Sequence, residues 1–95
     1  MKATAKRISL KSKKDRNLVH QYALQFEIRN RILDRADTLL LQPNQGQKEP
    51  YLEHLNLDYR RIIESHYKII YRVVGETIYI TDVFDSRQDP DKMKG

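Results

Sequence analysis

Three runs rich in β-branched and aromatic residues follow one another in the last third of this chain, at 59–64, 67–73 and 77–84. The links between them are too short for a crossover. Ser65-His66 is a two-residue connection and Gly75 marks the next reversal, so the pattern reads as an antiparallel meander. Register follows from turn length. A two-residue turn at Ser65-His66 pairs Glu64 with Tyr67, Ile62 with Ile69 and Arg60 with Tyr71. An even-length turn at Gly75 sets Tyr71 against Ile78 or Ile80. An odd-length turn would flip the last strand, and the hydrophobic pattern favours the even one. One face then carries Ile62, Ile69, Tyr71, Val73, Ile78, Ile80 and Phe84, with Asp82 and Arg60 near its rim, and is expected to pack on a helix. The other carries Tyr59, Arg61, Ile63, Lys68, Ile70, Arg72, Tyr79, Thr81 and Val83.

The helix is written upstream. Leu18, Tyr22, Phe26, Leu33, Ala36 and Leu40 recur at helical spacing, flanked by Val19, Ala23, Ile32 and Leu39. Arg16, Arg29, Arg31, Asp34, Arg35 and Asp37 fall mostly off this stripe. Ser12 or Asp15 is a candidate cap, and Pro43 with Gly46 ends the pattern. One long helix, or one broken near Arg16-Asn17, satisfies the spacing. Before it, Ile8 and Leu10 alternate with polar residues, as a short strand or a short first helix. Residues 42–58 hold Pro43 and Pro50 with little periodicity and read as a connecting loop with one turn near 51–55.

Composition removes several classes. The chain has 95 residues, enough for one domain over 1–95 with one modest core. It has no cysteine, hence no disulfide framework and no thiol chemistry. No apolar run approaches a membrane span, and the basic N-terminus lacks the apolar stretch of a secretory signal, so a cytoplasmic location with no membrane partner is expected. His20, His54 and His66 have no metal-ligand spacing, and the three isolated glycines form no phosphate loop; neither metal nor cofactor is expected.

Charge is uneven. Residues 1–35 hold ten Lys/Arg against three Asp/Glu, and residues 36–95 hold eight against ten. The sheet face with Tyr59, Arg61, Lys68, Arg72 and Tyr79 suits a nucleic-acid backbone or a protein partner equally. The remaining chemistry is metal-free RNA cleavage, which needs cations around the phosphate and a group to protonate the leaving oxygen. Lys68, Arg87, Arg61 and Arg72 are candidate cations. After Tyr79 there is no Tyr or His to serve as the acid.

The segment Lys68-Ile69-Ile70-Tyr71-Arg72-Val73, then Gly75, then Ile80-Thr81-Asp82-Val83-Phe84-Asp85-Ser86-Arg87-Gln88-Asp89-Pro90, resembles the C-terminal half of the RelE/ParE toxin superfamily. The passage Leu-Leu-Leu-Gln-Pro at 39–43, followed by Gly46, is similar too. These are small toxins of bacterial type II toxin–antitoxin modules, also called plasmid stabilisation proteins. The resemblance covers roughly residues 23–93 and implies an α+β fold. That fold is an N-terminal helix or helical hairpin on a small curved antiparallel sheet, with a three-stranded C-terminal meander and room for a short N-terminal strand. It implies a cognate antitoxin as partner.

One branch of the family is a ribosome-dependent mRNA endoribonuclease; the ParE branch poisons DNA gyrase. Lys68 falls where the nuclease branch has a functional basic residue, and Arg87 where it has a phosphate-contacting arginine. That branch's terminal Tyr or His has no counterpart here, Met93 lying near its place. The ending at 84–90 resembles ParE more closely, so gyrase inhibition leads, with Phe84, Ser86 and Arg87 as target-binding residues. The family also opens with an apolar strand and a helical hairpin, whereas the first 17 residues here are basic and carry little of that pattern. A degenerate, non-toxic module that still binds antitoxin is therefore a third reading.

Overall fold

The structure is a computed structural model that describes residues 5–10 and 26–95. It is α+β. The strands are β1 (Arg7–Leu10), β2 (Gln47–Lys48), β3 (Arg60–Glu64), β4 (Tyr67–Val74) and β5 (Thr77–Asp85), with one described helix, α1 (Phe26–Asp37). Short 3-10 turns span Thr38–Leu40, Pro50–Leu55 and Pro90–Lys92. Leu18, Val19, Tyr22 and Ala23 of the expected stripe lie outside the described residues, as do the candidate caps Ser12 and Asp15 and the break at Arg16-Asn17.

The sheet has the order β1-β5-β4-β3-β2. This corrects two expectations. The meander β3-β4-β5 is the middle of a five-stranded mixed sheet rather than the whole of it, because β1 adds to β5 in parallel and β2 adds to β3 in antiparallel fashion. The helix is not the N-terminal element, because β1 precedes it. Ile8 and Leu10 belong to that strand, which forms the outer edge of the sheet. The Lys6 amide donates to Glu76 O at 2.7 Å and starts the pairing. In the stretch read as a loop, Gln47 and Lys48 pair with Arg61 and Arg60, and the expected turn is realised as Pro50–Leu55.

The hairpin register follows the hydrophobic pattern. Glu64 pairs with Tyr67, Ile62 with Ile69 and Arg60 with Tyr71. Val74 pairs with Thr77, leaving Gly75-Glu76 as a two-residue turn, and Tyr71 meets Ile80. Gly75 has φ +59°, which a glycine adopts without a Cβ clash.

Beyond Ile80 the pairing shifts by one residue. Ile70 pairs with Asp82, so Thr81 is an extra residue in β5, a β-bulge. A one-residue insertion reverses every later side chain. Val83 therefore joins Ile69 and Tyr71 on the helix-facing side, while Asp82 and Phe84 turn to the opposite face. The period-2 expectation had these three the other way round.

The main core lies between α1 and the sheet. Ile32, Ala36 and Leu39 press on Ile62, Ile69, Tyr71 and Ile78. Each isoleucine buried here contributes roughly 1.5–3 kcal/mol. The helical stripe is centred on Ile32 and Leu39 rather than on Leu33, which stays exposed. The chain leaves the helix through a small polar tether: Thr38 Oγ1 donates to Arg35 O at 2.6 Å, Gln45 Nε2 to Thr38 Oγ1 at 2.9 Å, and Arg35 Nη1 to Gln45 Oε1 at 3.2 Å.

Candidate functional site

The face of the sheet away from α1 holds most of the candidate residues, and a second core covers its middle. Leu52 from the turn Pro50–Leu55 and Met93 from the C-terminal segment pack on Tyr59, Ile70 and Phe84. Two hydrogen bonds fasten that segment at the bulge: Thr81 Oγ1 donates to Lys94 O at 3.2 Å, and the Lys94 amide to Asp82 Oδ2 at 3.0 Å. The bulge thus turns Asp82 toward the segment it anchors. Thr81 and Ile70 are buried, and Ile63 is exposed at the strand edge.

Beside this core, at the β2–β3 edge, stand Lys68 and Arg61. Lys68 Nζ lies 2.9 Å from Glu49 Oε1 and 5.4 Å from the centroid of Tyr51. Arg61 Nε lies 3.7 Å from the same oxygen, while its Nη1 donates to Lys48 O at 2.6 Å. Glu49 is 1% exposed, and its Oε2 accepts the Tyr51 amide at 3.1 Å, capping the turn. Both basic residues therefore face one buried carboxylate, which offsets one of their two positive charges.

At the other end, the Arg72 guanidinium sits over the Tyr59 ring at 5.5 Å, and Arg72 pairs across the strands with Tyr79, which is 37% exposed. Tyr59 itself is buried, so of the two tyrosines only Tyr79 is presented outward.

The segment after β5 is arranged differently. Phe84 is 4% exposed and belongs to the second core. The Ser86 amide and Oγ both donate to His66 O, at 2.8 and 2.7 Å. Arg87 grips Asp85 in a fork, Nε to Oδ1 at 2.9 Å and Nη2 to Oδ2 at 2.7 Å. Asp85 pairs with Tyr67 on the helix-facing side, so Arg87 is anchored away from Lys68. Among the named residues, Arg87 and Ser86 are exposed and Phe84 is not.

The family model of the ParE toxin of the type II toxin–antitoxin system parDE matches residues 7–90. The chain belongs to the ParE toxin family. No curated protein matches it. The matched span runs from β1 to the start of the last 3-10 turn, so the basic opening keeps the sheet-edge strand inside the family pattern. Among the described residues of this ParE-family chain, no group of His, Cys, Asp or Glu is placed to hold a metal ion, and no helix is long and apolar enough to cross a membrane.

Glu49 and Leu52 do not stand out in the sequence, and Met93 does so only as lying near the place of a terminal Tyr or His, not as a core residue. A signal for the first existed: Glu49-Pro50 and Asp89-Pro90 both put an acidic cap before a proline at the first helical position, and both start 3-10 turns.

The Arg87 fork makes a testable electrostatic claim. Its hydrogen bonds hold the Asp85 carboxyl below the usual carboxylate range. A depressed pKa means the folded state prefers the ionised carboxylate. That stabilisation is present above the unfolded carboxyl pKa and is lost as pH falls through the lower folded value. Arg87→Gln is expected to move the Asp85 titration upward, read by carboxyl-carbon NMR. An unmoved titration would mean the fork does not persist in solution.

Proposed function

We propose that this ParE-family chain is the toxin of a type II toxin–antitoxin module, held in check by a cognate antitoxin in the cytoplasm, and that it acts by binding DNA gyrase. The observation that carries this reading is the state of the basic residues. Metal-free RNA cleavage needs unshielded cations beside the scissile phosphate and an acid for the leaving oxygen. Here Lys68 and Arg61 share Glu49, Arg87 is forked onto Asp85, and Arg72, the one candidate without an ion pair, stands apart on the Tyr59 ring. No Tyr or His follows Tyr79. A chain built this way is better suited to occupying a partner than to turning over RNA. The exposed Ser86 and Arg87 are the proposed target contacts, while Phe84 is buried in the second core.

The test is a plasmid-supercoiling assay with purified gyrase, run beside primer extension on mRNA bound to ribosomes. Supercoiling is expected to fall with added protein while the mRNA stays intact. Cut mRNA with unaffected supercoiling would overturn the reading in favour of the ribonuclease. No effect in either assay, from a chain that still binds antitoxin, would favour the degenerate module.

A further inference from the structure

Two cross-strand rows at one end of the second face hold no carboxylate. The first runs Arg72, Tyr79, Ser9: Arg72 pairs with Tyr79 across β4 and β5, and Tyr79 with Ser9 across β5 and β1. The second runs Val74, Thr77, Arg7 by the same pairings. Residues two apart along a strand share a face, so both rows point to the same side. Lys94 lies beside them, its carbonyl held by Thr81 Oγ1 and its amide by the buried carboxylate of Asp82 on the same face. Arg7, Val74, Tyr79 and Lys94 are exposed, and Ser9, Arg72 and Thr77 are half-buried.

Several of the other described basic residues are paired. Lys6, Arg60, Arg61, Lys68 and Arg87 each have a carboxylate within 4 Å. Among the described residues, Arg7, Arg72 and Lys94 form no ion pair, and neither do Arg31, Arg35, Lys48 and Lys92, which lie outside the two rows. The acid of the adjoining turn, Glu76, is taken by Lys6 at 3.4 Å. Arg72 is also oriented in advance, because its guanidinium rests on the Tyr59 ring.

We infer that these two rows bind the phosphate backbone of duplex DNA. Arginine and lysine with serine, threonine and tyrosine hydroxyls are the side chains that contact phosphates, and the rows hold Arg7, Arg72, Ser9, Thr77 and Tyr79. The sequence around the edge strand favours a polyanion over a single acidic peptide. Residues 2–16 carry seven Lys/Arg against Asp15 alone, and the gain from counterion release grows with each phosphate neutralised. Duplex is favoured over single strand because bases stack on successive exposed rings, and the rows expose only Tyr79.

This contact does not depend on gyrase and is tested without it, by fluorescence anisotropy of a short labelled duplex titrated with the full chain across a salt series. The intact chain is expected to bind at low salt. Arg7→Gln with Arg72→Gln should weaken binding by roughly tenfold or more and reduce the salt slope by about two. Arg31→Gln with Lys48→Gln removes the same charge from exposed positions on α1 and β2 and should leave the slope near that of the intact chain. Arg7→Gln with Tyr79→Ser spares the Arg72–Tyr59 contact and should still reduce the slope by about one, with thermal melts confirming that each variant is folded. No duplex binding at low salt, equal losses in both charge pairs, or tighter binding to a single strand or an acidic peptide would each overturn the assignment.

Discussion

Replacing Gly46 by alanine is expected to lower stability by about 3 kcal/mol and the melting temperature by roughly 15 °C. A Cβ at this position would lie 2.6 Å from Arg61 O and 2.7 Å from the Tyr71 hydroxyl. The first is backbone of a paired strand, and the second belongs to a ring that is 0% exposed, so neither can step aside. The Gly46 amide donates to Tyr71 Oη at 2.9 Å, and its carbonyl accepts Arg60 Nη1 at 2.9 Å. Moving the loop to relieve the clash would break both bonds.

Tyr71→Phe separates the two causes. It keeps the packing and leaves the Gly46 amide unpaired, for a loss of about 1–3 kcal/mol. Burial also pushes the Tyr71 phenol above its ordinary pKa. The neutral phenol is the form the fold accommodates, so its contribution holds below the unfolded value and fades as pH rises through the folded one. The phenylalanine variant should lose that part of the alkaline transition. Denaturant melts across pH check both. A Gly46→Ala loss under about 1 kcal/mol would show that the loop tolerates a methyl group after all.

What the sequence made legible was local. The Ser65-His66 turn, the even turn at Gly75 and three cross-strand pairs follow from alternation and turn length, which are properties of neighbouring residues. The bulge was not deduced, although it left a trace. Period 2 carried through from Ile80 sets Asp82 among apolar helix-facing residues, while Val83, three residues after Ile80, is the apolar one that belongs there. A lone carboxylate on the apolar side of a strand is the mark of a slipped register. The strands β1 and β2 were harder to read, because each is short and owes its existence to a partner far along the chain.

The candidate site was half legible for a similar reason. Lys68, Arg61 and Arg72 do share a face, as alternation requires. The pairing of Lys68 and Arg61 could not be assessed from spacing, because their shared carboxylate comes from a loop 19 residues before Lys68. The cover over Ile70 and Phe84 likewise comes from Leu52 and Met93, outside any periodic segment. Distant partners decide whether a basic face is open, and a strand pattern does not encode them.

Glu49→Ala is expected to cost about 3 kcal/mol, the second large effect. The carboxylate is buried, and it is shared by Lys68 and Arg61, whose side chains are only 18% and 21% exposed. Alanine would leave two partly desolvated cations without a counter-charge, strip the cap from Pro50–Leu55, and loosen Leu52 over the second core. Glu49→Gln keeps the shape and a cap acceptor, so its smaller loss measures charge alone. Glu49→Leu with Lys68→Met removes both members of the closest pair and should recover part of the stability, since an apolar pair avoids their desolvation while Arg61 and the cap still lose Glu49. Urea melts of the three variants rank them, and glutamine proving as costly as alanine would show that charge is not what Glu49 supplies. The same variants bear on function. Glu49→Gln frees Lys68 and Arg61, so RNA affinity is expected to rise. Cleavage is not expected to appear with it, because the freed cations bind phosphate but no Tyr or His after Tyr79 can protonate the leaving oxygen.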